Sequence, residues 1–127
     1  MEPSKHHSTQ ERHRAIDDGL IFDFTETAMK LGLNFEFVVT RAAYERCIRV
    51  PDGVTGHDET TRATAVLSQY LRTMKNENPT TTEPLLFEAI LPIRSPLFSS
   101  FPFPLKGRFG YGEGCRLILT VMLPEEN

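Results

Sequence analysis

The sequence predicts an α+β domain, in which an antiparallel sheet packs on one long amphipathic helix and two shorter helices. Two observations lead to this prediction. Apolar residues recur at helical spacing between 63 and 74, and from residue 85 the period changes to two. The sheet combines C-terminal strands with one or two N-terminal strands. With 127 residues the chain has the length of one domain, so we expect a flexible polar arm at 1–13 and a single domain at 14–127.

The N-terminal part predicts short elements in close succession. A short helix is expected at 9–17, followed in "LIFDF" at 20–24 by a brief strand or an extended segment. Asp23 with Glu26 matches the capping-box pattern of an acidic cap and an N3 glutamate for the helix "TETAMKL", which closes at Gly32. The adjacent carboxylates are therefore interpreted as helix and turn signals.

The next two elements follow the same reasoning. "FEFVV" at 35–39 alternates apolar and acidic residues as a half-buried strand does. Thr40 is an N-cap candidate for the helix "RAAYERCIRV", which Pro51 ends. One face of that helix collects its apolar side chains, namely Ala43, Tyr44, Cys47 and Ile48.

The long helix is the strongest prediction from periodicity. Asp58 is its natural cap, and the helix is expected to run to about Lys75, before Pro79. Its apolar residues form a single stripe at i, i+3, i+4, i+7, i+8 and i+11. They are Ala63, Val66, Leu67, Tyr70, Leu71 and Met74.

Strands fill the C-terminal part. "LLFEAILPI" at 85–93 is a strand whose Pro92 indicates an edge or a bulge. "LKGRFGY" at 105–111 and "CRLILTVML" at 115–123 alternate apolar and polar residues, and "GEG" at 112–114 between them is turn chemistry. These two segments predict a hairpin.

Composition narrows the class of protein. The net charge of −3 includes a short basic arm at 1–14 and an acidic remainder. A mildly acidic body argues against direct nucleic-acid binding, which needs a basic face. No apolar run approaches the roughly 20 residues that span a bilayer, and the polar N-terminus does not resemble a signal peptide. We therefore expect a cytoplasmic protein with no membrane partner.

The cysteines and histidines do not predict a cofactor. Cys47 and Cys115 are far apart and belong to no CxxC pair, which favours two small, partly buried side chains over a disulfide. They and the scattered histidines are too few for a zinc site. The glycine-rich "GRFGYGEG" at 107–114 precedes a strand, whereas a phosphate-binding loop opens a helix. No metal and no cofactor are expected.

"PDGVTGHDETTR" at 51–62 is the first candidate site. His57 beside Asp58 could act as a general base, because a carboxylate fixes the tautomer of a histidine and stabilises its cation. The same residues have structural explanations, with Asp58 as a helix cap and Arg62 as an exposed partner of residues three and four positions away. The structural explanation is favoured over catalysis.

"SPLFSSFPFPL" at 95–105 is the second candidate site and the best candidate for partner binding. Its prolines and serines exclude a regular helix or a central strand. Phe98, Phe101 and Phe103 therefore either pack under the core or form an exposed patch, and exposed aromatic patches commonly mark partner surfaces. Glu113 is the acidic residue that we add to this candidate site.

The segment at 15–48 also resembles the N-terminal signature of a family of small uncharacterised proteins of bacteria, plasmids and phages, catalogued as the domain of unknown function DUF6573. The segments "VPDGVTGHDETTRATAVL" and "VMLPEEN" are similar to the middle and the end of that family. The resemblance carries no established chemistry and implies an accessory protein of a mobile element. Its signature positions are Ala15, Asp18, Gly19, Leu20, Asp23, Thr25, Ala28, Gly32, Val38, Val39, Thr40 and Arg41.

Three hypotheses follow. The first is a non-enzymatic protein that binds a host protein or protein complex, as an inhibitor of a defence system such as CRISPR; its acidic side chains would occupy a basic nucleic-acid channel. The second is a small enzyme or nucleotide-binding domain that uses Asp18, Asp23, His57 and Asp58. The third is a DNA-binding regulator that uses the arginines of "RAAYERCIR" at 41–49. Because no catalytic signature is present, the first is favoured.

Overall fold

A computed structural model describes residues 20–50, 52, 54, 58–77, 84–93, 100–112 and 116–126. It confirms the predicted α+β fold, with a five-stranded sheet, one long helix and two short ones among these residues. The strands are β1 (Ile21–Asp23), β2 (Glu36–Thr40), β3 (Leu85–Pro92), β4 (Ser100–Tyr111) and β5 (Leu117–Met122). The helices are α1 (Thr25–Lys30), α2 (Arg41–Ala43) and α3 (Glu59–Glu77). The helix predicted at 9–17 and the polar arm lie outside the described residues.

The sheet has the order β1-β2-β5-β4-β3, so β5 lies at its centre. All neighbouring strands are antiparallel except β2 and β5, which pair in parallel from Glu36 opposite Ile118 to Val39 opposite Val121. The antiparallel prediction therefore holds for most of the sheet, and the parallel pair is a difference. The half-buried prediction for β2 is wrong, because all four residues from Glu36 to Val39 are buried in this interior strand.

Helix α1 begins one residue later than the capping-box pattern predicts. Phe24, not Asp23, is its N-cap, and the side chain of Phe24 has no capping atom. Asp23 Oδ1 instead accepts hydrogen bonds from the backbone N–H of Thr25 at 2.9 Å and from the hydroxyl of Thr25 at 2.5 Å. The helix closes as expected at Gly32, whose φ of 80° lies in the left-handed region that favours glycine.

Helix α2 is capped as predicted but does not continue as an α-helix. The Thr40 hydroxyl accepts a hydrogen bond from the backbone N–H of Ala43 at 3.4 Å. A π-helical turn, Tyr44–Ile48, then follows, and the N–H of Arg49 donates to the carbonyl of Tyr44. The Tyr44 ring stacks on Phe22 of β1 at a centroid distance of 3.9 Å, which ties the turn to the sheet.

Helix α3 confirms the periodicity argument. Asp58 Oδ1 accepts a hydrogen bond from the N–H of Thr61 at 2.7 Å, as an N-cap does. The stripe predicted to be apolar faces the sheet, and its first four members (Ala63, Val66, Leu67 and Tyr70) are buried. The ring of Tyr70 lies directly on the backbone of Gly107 in β4, so the helix and sheet meet at close range.

The C-terminal strands form the predicted hairpin. Tyr111 of β4 pairs with Leu117 of β5, and the N–H of Gly112 donates to the carbonyl of Arg116 at 2.7 Å. Residues 113–115 of the turn lie outside the described part. After β5 the carboxylate of Glu126 accepts from the hydroxyl of Thr40 at 2.7 Å, which joins the end of β2 to the segment beyond β5. Within the described residues, no helix is long and apolar enough to cross a membrane.

Candidate functional site

The hairpin of β3 and β4 extends beyond the rest of the sheet. β4 pairs with β3 from Ser100 to Gly107, but its pairing with β5 begins only at Lys106. The outer part of the hairpin, Glu88–Pro92 with Ser100–Pro104, is therefore a ribbon of two strands, which we call the hairpin ribbon. The Pro/Phe-rich segment was expected to exclude a regular helix or a central strand. From Ser100 onward it is strand, and within the hairpin ribbon this strand pairs with β3 alone among the described strands, so it is not central there. Its prolines fit because β4 lacks a second neighbour there among the described strands.

Two phenylalanines predicted as partner-binding residues lie on one face of the hairpin ribbon. Phe103 is half-buried against the core, whereas the side chain of Phe101 is 47% exposed. Their rings meet edge to face at a centroid distance of 5.7 Å. Both outcomes left open by the sequence therefore occur, since Phe103 packs under the core and Phe101 forms an exposed surface. Phe98 and Glu113 lie outside the described residues.

The opposite face of the hairpin exposes a second apolar surface that sequence reasoning missed. Leu86 and Ile90 of β3 are 64% and 58% exposed, with Glu88 between them on the same face. The exposed Pro102 and Pro104 lie across from Ile90 and Glu88. The signal was present in "LLFEAILP", because a period of two that buries one set of side chains places the alternate set together on the other face.

A shallow groove runs beside this surface. It has a volume of about 300 Å³ and is lined mainly by apolar side chains from β3, β4 and the segment after β5. Leu86, Glu88, Pro104 and Pro124 are the lining residues that we use below; Phe87 and Leu105 complete the lining. The groove is open, so it can accept a side chain of a bound polypeptide.

Of the alternative polar site, the structure describes only Asp23 and Asp58, which lie at the ends of different elements. Asp23 ends β1 at one edge of the sheet and accepts a hydrogen bond from the N–H of Thr25, whereas Asp58 precedes α3 and accepts one from the N–H of Thr61. Asp18 and His57 lie outside the described residues, so their geometry with Asp23 stays a prediction. Across the described residues, no group of three or more histidines, cysteines, aspartates or glutamates could hold a metal ion.

Arg62 is the main correction to the sequence analysis. It was expected to be exposed, but it is fully buried. Its Nε donates to the carbonyl of Cys47 at 2.7 Å and its Nη1 to the carbonyl of Pro92 at 2.9 Å. Nη2 is buried without a hydrogen-bond partner among the described residues, and burial lowers the pKa of the guanidinium. The side chain therefore joins α3 to the π-helical turn and to the end of β3.

The arginines considered for DNA binding do not form a uniformly basic face. Arg49 makes a salt bridge to Glu45 at 2.9 Å, and this hydrogen bond raises the pKa of Arg49. A small surface pocket of about 200 Å³ mixes both signs of charge, since Arg46 and Arg49 line it together with Glu45 and Asp52. The paired and mixed charges offer little to a phosphate backbone.

The π-helical turn carries two titratable groups, a buried thiol and a half-buried phenol, whose pKa values are raised. Cys47 is a free, buried cysteine, and burial raises the pKa of its thiol to about 11. The hydroxyl of Tyr44 donates to Glu59 at 2.6 Å. This hydrogen bond is the main cause, and partial burial the second, of a pKa of Tyr44 raised to about 12. Neither group shows the lowered pKa that is typical of an activated cysteine nucleophile or a general base.

Comparison with known proteins gives no match to a family model, a curated protein or a solved structure. The family resemblance described above therefore stays a prediction from the sequence. The strongest surface features on the described part of the chain are the exposed phenylalanine and the apolar face of the hairpin.

Proposed function

We propose that this protein is a non-enzymatic binding protein that acts on another protein through the hairpin ribbon. In line with the family resemblance, it is an accessory protein of a phage or plasmid, works in the cytoplasm of a bacterial host and inhibits a host protein complex of a defence system. The observation that carries the proposal is Phe101, a large aromatic side chain that is 47% exposed at the protruding end of the sheet.

Phe101 is suited to be an anchor because its position is fixed before a partner binds. Its backbone pairs with Leu91 of β3, and its ring contacts Phe103, which packs against the core. An aromatic side chain held in this way loses little conformational freedom on binding. Truncation of a central aromatic anchor commonly weakens an interface by about 2 kcal/mol or more.

Two variants test the anchor with a matched control. Phe101→Gln removes the exposed ring, and Met29→Gln removes a side chain that is 65% exposed on α1. We expect the unmodified protein and Met29→Gln to retain the same partner from a host lysate, which mass spectrometry identifies and which is then purified. Phe101→Gln should bind the purified partner with a Kd about thirtyfold higher, which corresponds to about 2 kcal/mol. Equal retention by Phe101→Gln, or no specific partner, would contradict the proposal.

The inhibitory role has its own experiment. A bacterial strain with an active defence system is infected with a sensitive phage while it expresses the unmodified protein or Phe101→Gln. We expect the unmodified protein to restore plaque formation and the variant to lose this effect at equal protein abundance. Failure to restore plaques against any of a panel of defence systems, despite a confirmed partner, would retain protein binding and reject inhibition of defence.

A further inference from the structure

Strand β3 combines an open backbone edge with an exposed apolar face. It is the last strand in the order of the sheet and pairs only with β4 among the described strands. Alternate residues of this eight-residue strand direct their backbone N–H and C=O groups to the open side, where they form a template for another strand. Leu86 and Ile90 stand on one face of this edge, next to the groove that Pro104 and Pro124 help to line.

The carboxylate of Glu88 determines which strand fits. Glu88 is exposed, lies between Leu86 and Ile90 on the same face, and forms no ion pair with a described residue. In an antiparallel pair, side chains that stand directly opposite each other stabilise the sheet when their charges are opposite. An added strand that places an arginine or lysine across from Glu88 is therefore favoured.

A second copy of this chain does not satisfy Glu88. When two copies of β3 pair about a two-fold axis normal to the sheet, residues that face each other are an even number of positions apart. The residue across from Glu88 is then Leu86, Glu88 itself or Ile90 in the central registers. Each choice opposes a carboxylate to an apolar side chain or to a second carboxylate, so the edge favours a different polypeptide.

We propose that the β3 edge binds an extended segment of a partner protein by strand addition, and that this segment carries a basic residue between two apolar residues at alternate positions. Its backbone pairs with β3, its basic side chain faces Glu88, and its apolar side chains at alternate positions pack against the exposed Leu86 and Ile90. This inference rests on the proposed protein-binding function and names the chemistry of the partner.

Peptide selection tests this chemistry. Random nine-residue peptides are displayed and selected on the full chain, on Glu88→Lys and on Glu125→Lys, a matched change at another exposed glutamate. We expect the full chain and Glu125→Lys to enrich peptides with the apolar–basic–apolar pattern, and Glu88→Lys to enrich an acidic residue at the same place. An enriched basic peptide should bind Glu88→Lys about tenfold more weakly than Glu125→Lys.

Amide hydrogen exchange locates the bound peptide. Binding is expected to slow exchange within 85–91 of β3, at the alternate amides that point to the open edge, because those amides gain partners. Enrichment without the alternating basic pattern, equal binding to Glu88→Lys, or no enrichment would overturn strand addition, and so would protection elsewhere than in β3. If a purified partner from the lysate depends on Phe101 but not on Glu88, the proposed protein binding stands and strand addition fails. If no partner is retained from the lysate but the peptides bind β3, strand addition stands and the proposed binding through Phe101 fails.

Discussion

Gly107 offers a direct test of how closely α3 packs on the sheet. A Cβ atom at this position would lie 2.3 Å from Cε1 and 2.6 Å from Cδ1 of Tyr70, about an ångström inside an ordinary contact. Tyr70 is 2% exposed. Its ring meets Phe87 and Phe109 edge to face at centroid distances of 5.4 and 5.8 Å, so it cannot move aside freely.

The magnitude follows from two opposed effects of Gly107→Ala. Alanine restricts the unfolded chain and by itself would stabilise the protein by about 0.4–1 kcal/mol. Extra volume in a well-packed core costs about 1–3 kcal/mol, and the depth of the overlap with Tyr70 places this change at the upper end. We expect a net decrease of about 2 kcal/mol in the free energy of unfolding.

Urea unfolding followed by circular dichroism measures this change, which should appear as a lower midpoint concentration of urea with an unchanged slope of free energy against urea. A double-mutant cycle with Tyr70→Leu isolates the cause, since Gly107→Ala is expected to become neutral or stabilising once the ring is absent. An unchanged or increased stability of the single variant would refute the close contact, and an equal loss in both backgrounds would refute its assignment to Tyr70.

Three further outcomes are expected. Arg62→Met should lower the free energy of unfolding by about 2–4 kcal/mol in urea titrations, because the carbonyls of Cys47 and Pro92 lose their donors; stability equal to that of the unmodified chain would show that relief of the buried charge compensates. Gly32→Ala should cost about 1 kcal/mol by the same assay because φ is 80°, and a stabilised variant would contradict the left-handed cap. Because the pKa of the Cys47 thiol is raised from 9.0 to about 11, the unfolded chain ionises first, so stability should fall as pH rises from 9 to 11. Cys47→Ala should lack that part of the pH dependence, and identical pH profiles would exclude the thiol as its source.

Local patterns were reliable where one physical effect dominates. The stripe on α3 and its Asp58 cap were predicted because burial of an apolar face and satisfaction of end N–H groups act within one helix. Gly32 was predicted for the same reason, since a left-handed residue ends a helix through its own backbone. The hairpin of β4 and β5 was predicted from alternation and turn glycines.

The errors arise where a distant part of the chain determines the outcome. Nothing near Arg62 in the sequence shows that the carbonyls of Cys47 and Pro92 will meet its guanidinium. Glu36 follows the pattern of a half-buried strand, yet β2 lies between two strands and Glu36 is buried with a salt bridge to Arg116 at 3.0 Å.

The candidate site was predictable only in part. The sequence drew attention to Phe101 and Phe103 because aromatic residues are conspicuous in a proline-rich segment, but exposure depends on where β5 stops pairing with β4. Leu86 and Ile90 were not singled out, although Pro92 indicated an edge or a bulge at the far end of their strand. Only the position of β3 at the edge of the sheet makes them a surface.

The central position of β5 has a consequence for synthesis. β5 joins β2 on one side to β4 on the other, and Thr40 bonds to Glu126, 86 positions later. While the ribosome builds the chain, the backbone edge of β2 that pairs with β5 stays without that partner until β5 is made. Contacts of such sequence separation slow folding, so a nascent chain that stalls before β5 exposes an aggregation-prone edge and becomes a substrate for chaperones or proteases.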